Sequence, residues 1–302
     1  MKSKSFTLIE LLVVIVIIGI LAGVIMISTS SSIDKASRAK AITFSASVQE
    51  SLLSNLVSEW TFNEGDAGYN RSATNNDVKD TWGSNNATVS GPPQLKGGSD
   101  CVFGKCLSFN GSTNYVDCGN KSSLEFEKNL TISFWVYRNE ETGSSQAFIS
   151  KLYLNDSLSP WASYTVSYDR SNNNKLEFFL GFTDNSYVQN FVSDYPLSLY
   201  TWYNIVVTYD GYAKVYINGE NKYKSDFINK SLKYSSSDNV FLGKSKTIFF
   251  NGSIDDVRFY NAALSSTQIK QNYIAGLNSM LANGNILKEE YSQIIKALGL
   301  SF

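Results

Sequence analysis

Hydrophobic and polar positions change their rhythm several times along this chain, and each change marks an element. Phe6 to Ile27 is one continuous apolar run, broken only by Glu10. From Leu8 onward it offers about twenty residues, or about 30 Å of helix, enough to cross a bilayer core. From Ser28 to Ser58 there is no proline or glycine. Ile33, Ala41, Phe44, Val48, Leu52 and Leu56 recur there mostly at steps of three and four, which predicts an amphipathic helix extending the apolar one. At Val57 the period shortens. Runs such as Thr131 to Tyr137, Lys175 to Phe182 and Ile254 to Tyr260 read as strands. Trp202 to Tyr223, broken at Asp210-Gly211 and Asn218-Gly219, reads as a meander with two tight hairpin turns. A polar Asn/Gly/Ser stretch through Asn86 reads as a loop. After the last strand, Ser265-x-x-Gln268 predicts a capping-box helix start, with Ile269 and Tyr273 on one face. Ala275 to Phe302 predicts short helices around Asn283-Gly284-Asn285, the second with an apolar face of Leu287, Tyr291, Ile294, Ile295 and Leu298.

Many strands with little helix between them predict a mainly β protein, a sandwich or jelly roll behind a long N-terminal helix. Composition supports this: 18 Tyr, 18 Phe and 5 Trp are the aromatic stock of an all-β domain. A formal net charge of -1 gives no reason to expect nucleic acid as a partner. The chain has no histidine, which excludes His-based triads and ordinary His-ligated zinc. Lys2 and Lys4 before the apolar run place the N-terminus in the cytoplasm and everything after Ile27 on the other side of the membrane. An exported chain meets oxidising conditions, so Cys101 and Cys106 in C-V-F-G-K-C are expected to form a small disulfide loop, with Cys118 a buried free thiol.

Glu10 decides between readings of the N-terminus. A carboxylate in a membrane segment is costly, and a plain anchor has no use for it. A cleaved secretory signal has a shorter apolar run ending in a small-x-small site, and an uncleaved signal anchor remains the other alternative. Phe6-Thr7-Leu8-Ile9-Glu10 with its apolar run resembles the prepilin signal of type IV pilins and pseudopilins. The resemblance implies cleavage by prepilin peptidase after Ser5, N-methylation of Phe6, and neutralisation of Glu10 by the terminal amine of a neighbouring subunit. Ser5 stands where this family usually has glycine.

A second resemblance rests on order. E-W-T-F-N-E-G, G-K-C-L-S-F-N-G-S-T-N-Y-V, L-T-I-S-F-W-V, T-W-Y-N-I-V-V-T-Y-D-G with V-Y-I-N-G-E, and N-G-S-I-D-D-V-R-F-Y-N-A-A-L-S follow one another. Together, over Val57 to Tyr273, they resemble a laminin G-like domain of the concanavalin A-like lectin/glucanase superfamily. The expected organisation is a leader over 1–5, a transmembrane helix over 6–27, its amphipathic extension over 28–56, the β-sandwich over 57–273 and a helical tail over 274–302.

The superfamily contains glucanases, whose E-x-D-x-x-E strand motif is absent here. Glu125-Phe126-Glu127 is the nearest carboxylate pair and reads as a solvated loop, so no enzyme is expected. The resemblance implies a calcium site near the loops, for which Asp80 and Asn85, with Asn86 beside them, and Asp255 are the oxygen ligands; period-2 alternation puts Asp255 on the apolar face with Val257 and Phe259. The alternative for Asp255 is a cap on a loop's backbone amides. Trp82, Trp161 and Tyr187 lie in polar stretches and are the candidate sugar-stacking rings, whereas Trp60, Trp135 and Trp202 read as core. The expected function is a minor pilin that displays a lectin-like domain for adhesion to a glycan or protein. The alternatives are a structural pilin subunit with a non-binding head and a pseudopilin of a type II secretion system.

Overall fold

The computed structural model describes residues 53–63, 78–91, 93–139, 145–153, 160–169, 175–192, 196–234 and 237–300. The expected transmembrane helix and most of its amphipathic extension, with Ser5, Phe6 and Glu10, lie outside the described residues, as does most of the polar loop before Asn86. Among the described residues no helix is long and apolar enough to cross a membrane.

The strands are, in chain order, β1 (Leu56–Trp60), β2 (Thr88–Ser90), β3 (Gln94–Gly97), β4 (Lys105–Asn110), β5 (Tyr115–Asp117), β6 (Leu130–Arg138), β7 (Gln146–Leu152), β8 (Ala162–Asp169) and β9 (Lys175–Gly181). They continue with β10 (Tyr187–Val192), β11 (Trp202–Tyr209), β12 (Ala213–Ile217), β13 (Glu220–Lys224), β14 (Val240–Leu242), β15 (Lys244–Ser245), β16 (Ile248–Phe249) and β17 (Asn251–Tyr260). Two helices follow, α1 (Ser266–Asn283) and α2 (Lys288–Ala297).

The main strands form two antiparallel sheets. One is eight-stranded, β13-β12-β11-β6-β17-β4-β3, with β1 also paired to β17; the other is seven-stranded, β10-β9-β8-β7-β14-β5-β2. β17 pairs β4 through Asn251–Ile254 and β1 through Val257–Tyr260, so the strand that enters the domain and the last strand lie side by side. The meander forms as predicted. β11 and β12 join through a three-residue loop, Asp210 to Tyr212, with Gly211 at φ 87, and β12 and β13 through a two-residue turn with Asn218 at φ 53 and Gly219 at φ 77, the positive dihedrals that such hairpins demand.

Alternation puts Leu130, Ile132, Phe134 and Val136 of β6, with Ile205 and Val207 of β11, into a core shared with Tyr164 and Val166 of β8 and Phe178 of β9. The opposite side of β6 is covered too. Trp135 and Tyr137 meet Tyr273, Leu277 and Ile295 from α1 and α2 in a second apolar cluster. Ser265 caps α1 in a full capping box with Gln268, and Gly284 at φ 78 ends it. α1 therefore runs unbroken past Tyr273, where the sequence suggested the sandwich ends and a separate tail begins. Leu53 packs beside Leu56, Tyr260 and Ile269, so the chain enters the domain next to α1.

Candidate functional site

The outer face of the seven-stranded sheet carries an aromatic platform. Leu176, Phe178 and Leu180 of β9 point into the core, which turns Glu177 and Phe179 outward. Trp161 lies over Phe179 with ring centroids 4.2 Å apart, and Tyr187 stacks on it from the neighbouring strand at 5.1 Å and 21°. Gly181 makes this possible. A Cβ there would come within 2.2 Å of the Ala162 carbonyl oxygen, so only glycine lets the segment carrying Trp161 cross so close to β9. The Trp161 carbonyl is held by the Tyr153 amide at 2.9 Å. Tyr187 is 48% exposed. Beside the rings, Glu177 accepts hydrogen bonds from Ser167 Oγ at 2.7 Å and from Gln189 Nε2. Phe179 is itself fully covered, so the surface offered to solvent is that of Trp161 and Tyr187, bordered by fixed polar groups.

Of the three rings expected to stack on a sugar, the structure brings Trp161 and Tyr187 together on Phe179. Trp82 stands elsewhere, half-exposed, with its Nε1 donating to the Leu56 carbonyl at 2.8 Å. Phe179 itself was not singled out, because a buried ring inside a strand reads as core; it shares a face with Glu177, two residues before it, and cross-strand register brings it to Tyr187.

Asp80 and Asp255, two of the expected calcium ligands, each hold backbone amides in different loops. Asp80 Oδ1 accepts the amides of Glu59, Trp82 and Gly83 at 2.8–3.1 Å, and Oδ2 accepts that of Asn85 at 2.9 Å. Its lone pairs are turned to amide hydrogens, and a cation in the same place would face those positive ends. Asn85 is tied to Ser58 through Nδ2 and accepts from Ser123 Oγ at 2.9 Å. The Asp80–Asn85 loop is a structural knot that closes on β1.

Asp255 is a correction to strict alternation. A β-bulge interrupts the β17–β6 register between Asp255 and Arg258, and Asp256 sits at φ 50. The extra residue shifts parity, so Val257 and Phe259 remain in the core while Asp255 turns toward the loop of the Cys101–Cys106 disulfide. There its Oδ2 accepts the amides of Val102 at 2.9 Å and Phe103 at 2.8 Å. This is the amide cap weighed above. Burial raises its pKa well above the usual carboxylate range, against the pull of those amides. Among the described residues no group of three or more acidic or Cys side chains could hold a metal ion.

The other buried charges are structural as well. Arg258 joins Glu59 of β1 at 2.8 Å, Asp256 at 2.9 Å and Asn272 of α1 at 3.0 Å. Burial pushes Asp256 up to about 6, against the opposing effect of Arg258. Cys118 is a buried free thiol whose pKa burial raises. Trp60 is in the sandwich core, but Trp135 and Trp202 belong to the cluster beneath the helices.

The model of the concanavalin A-like lectin/glucanases superfamily, in its laminin G-like form, matches residues 110–270, and the prokaryotic N-terminal methylation motif matches residues 1–26. No curated protein matches the chain in sequence. Among solved structures, domain 4 of the extracellular arabinanase AbnA from Geobacillus stearothermophilus, in complex with arabinotriose, aligns with a TM-score of 0.52 at 19% identity, over 72% of this chain and 97% of that one. The binding domain of Paraclostridial Mosquitocidal Protein 1 aligns with a TM-score of 0.56 at 18% identity, over 75% and 53%. The botulinum neurotoxin serotype D ligand-binding domain, in complex with N-acetylneuraminic acid, aligns with a TM-score of 0.55 at 19% identity, over 76% and 53%. The chain spans about half the length of these two toxin domains. The likeness shows a shared fold. The methylation motif implies peptidase processing, assembly with other pilins and membrane insertion before surface display. The chain belongs to the concanavalin A-like lectin/glucanases superfamily, with a prepilin methylation motif fused in front of its laminin G-like sandwich.

Proposed function

We propose that this chain is a minor pilin-like subunit that displays its sandwich on the bacterial surface and there binds a glycan or protein. Prepilin peptidase cuts after Ser5, and the methylated Phe6 and Glu10 carry the subunit from the inner membrane into a pilus. The observation that carries the binding half of this reading is the pair of rings Trp161 and Tyr187, packed over the buried Phe179, with Glu177 and Gln189 beside them. Exposed rings next to anchored polar groups are the usual makings of a recognition surface. Two structural relatives, complexed with arabinotriose and with N-acetylneuraminic acid, support a glycan as the first ligand class to try.

The test is binding of the detergent-solubilised full chain to a glycan array, repeated with Trp161→Ala and Tyr187→Ala. The expected result is saturable binding that both variants weaken at least about tenfold, about 1.4 kcal/mol. No saturable glycan or surface-protein ligand would leave a structural pilin subunit. Mass spectrometry of the native N-terminus checks the other half: the mature chain should begin at methylated Phe6.

A further inference from the structure

The outermost strands of a sheet carry backbone groups with no neighbouring strand, and folded proteins blunt such edges with charge, shortness or a covering loop. Most edges of this sandwich are blunted. β13 carries Glu220, Lys222 and Lys224, and β3 carries Lys96. β2 is 3 residues long. The free side of β1 is covered by the Asp80 loop, where the Thr81 amide donates to the Glu59 carbonyl at 2.8 Å and Asp80 accepts the Glu59 amide at 2.9 Å. β10 has none of these devices. It ends the seven-stranded sheet, runs for 6 residues as Y-V-Q-N-F-V, and contains neither charge nor proline.

The groups on its free side follow from the ladder. Phe182 N–H donates to the Ser186 carbonyl at 2.9 Å, so that pair is hydrogen-bonded. Antiparallel ladders alternate, so Val188, Asn190 and Val192 are the residues of β10 that exchange bonds with β9. Tyr187, Gln189 and Phe191 turn their N–H and C=O groups the other way. Those of Tyr187 and Gln189 have no partner among the described residues, and both residues are exposed.

We propose that β10 is a self-pairing edge, which joins β10 of a second copy of this chain, antiparallel, about a twofold axis at Gln189. The outward residues are spaced evenly about Gln189. Tyr187 therefore meets the partner's Phe191, and Gln189 meets the partner's Gln189, each pair exchanging two backbone bonds. A twofold contact sets its central residue against itself, so a charge there would repel its own copy. Gln189 is neutral, and its amide both donates and accepts. β13 fails the same test, because its central Lys222 would face the partner's Lys222. The methylation motif, which implies assembly, brings copies of the chain close together. The axis runs along the sheet normal, so both outer faces point the same way. Two Trp161–Tyr187 pairs then stand on one continuous sheet, an arrangement that favours a multivalent ligand. The pairing itself does not rest on ligand binding there.

The experiment is cross-linking of the detergent-solubilised full chain with a short bis-maleimide. Gln189→Cys puts a thiol at the axis, where paired Cα atoms lie about 5.5 Å apart. Lys222→Cys puts one on the charged edge and reports chance collision or association through other parts of the chain. The parent is the blank, because Cys101 and Cys106 are joined and Cys118 is buried. The expected result is a covalent dimer from Gln189→Cys in at least about tenfold the yield from Lys222→Cys. Adding Tyr187→Pro, which removes one outward N–H and spares the bonds to β9, should lower that yield about as much. Gln189→Lys alone should shift the sedimentation of the chain from dimer to monomer, so a proline variant that circular dichroism shows to be poorly folded does not decide the matter. Equal yields at positions 189 and 222, no dimer from Gln189→Cys, or a dimer that persists in folded Gln189→Lys would each overturn the proposal.

Discussion

The two sheets of this sandwich share one core but treat their outer faces in opposite ways. The seven-stranded sheet covers Phe179 only with Trp161 and Tyr187, and Tyr187 stays half-exposed. The eight-stranded sheet buries its outer face under α1, α2 and the disulfide loop. Both faces obey the same alternation, so alternation does not set their fate. What differs is the chain that follows. α1 brings Gly276 down onto Trp135, where a Cβ would lie 2.1 Å from the indole, and Ser279 and Asn283 both donate to the Val102 carbonyl of the disulfide loop. A second small core results, and a cavity remains where its fit is incomplete.

The largest effect should separate the two sides of a single strand. Phe134 and Trp135 are adjacent on β6 and both almost fully buried, one in the shared core and one beneath the helices. Phe134→Ala should cost about 3–5 kcal/mol and loosen the whole sandwich. Trp135→Ala should cost less, because its site already adjoins open space, and the loss should appear as faster amide exchange in α1 and α2 with β8 and β9 still protected. Equal loss of protection across both sheets in the two variants would mean that the helices and the sandwich are one cooperative unit.

Gly276→Ala sharpens the point with a contest of signs. Alanine is the better helix former by about 1 kcal/mol, whereas overpacking against a rigid ring costs about 1–3 kcal/mol. Overpacking should win, giving a lower melting temperature. In a Trp135→Ala background the same change should become neutral or stabilising, because the obstructing ring is gone; the double-mutant cycle measures this directly.

These residues also show what the sequence could reveal. Asp210-Gly211 and Asn218-Gly219 announced their turns because only a few residue types accept positive φ, and the Ser265–Gln268 capping box announced α1. The bulge at Asp256 was not legible: one extra residue in a strand leaves the letters unchanged but reverses the facing of everything on one side of it. Trp135 and Trp202 were rightly read as buried, but what buries them lies well over fifty residues further along the chain, at Tyr273 and beyond, and no local pattern encodes that contact. The platform was half legible for the same reason. Trp161 and Tyr187 stood out by their polar surroundings, while Phe179 joined them only through cross-strand register.

The disulfide ties the covered side together, so removing it should loosen that side first. Cys101 and Cys106 close a loop of sequence separation 5, for which the chain-entropy estimate is about 2 kcal/mol. Cys101→Ser with Cys106→Ser should lower stability by about that amount. Asn285 should then exchange its contacts to Ser99 and Cys101 for solvent, while the Trp161–Tyr187 platform keeps its ligand affinity.

The gentlest probe is the pH dependence of the same junction. Asp255 is fully buried and holds the Val102 and Phe103 amides, and burial raises its pKa well above 3.8. A carboxyl whose folded pKa is raised keeps its proton when folded and loses it when unfolded. Its contribution is therefore fully present below about pH 3.9 and is lost as pH rises toward the folded pKa, with a slope no steeper than about 1.4 kcal/mol per pH unit. Asp256, pushed up to about 6 beside Arg258, adds a loss of the same sign between about pH 4 and 6. Asp255→Asn keeps an oxygen for both amides and removes the titration. Its stability should match the parent near pH 4, exceed it near pH 7, and retain only the shallower slope due to Asp256. A variant that melts in parallel with the parent across that range would show that Asp255 is already ionised in the fold, and that the two amides outweigh its burial.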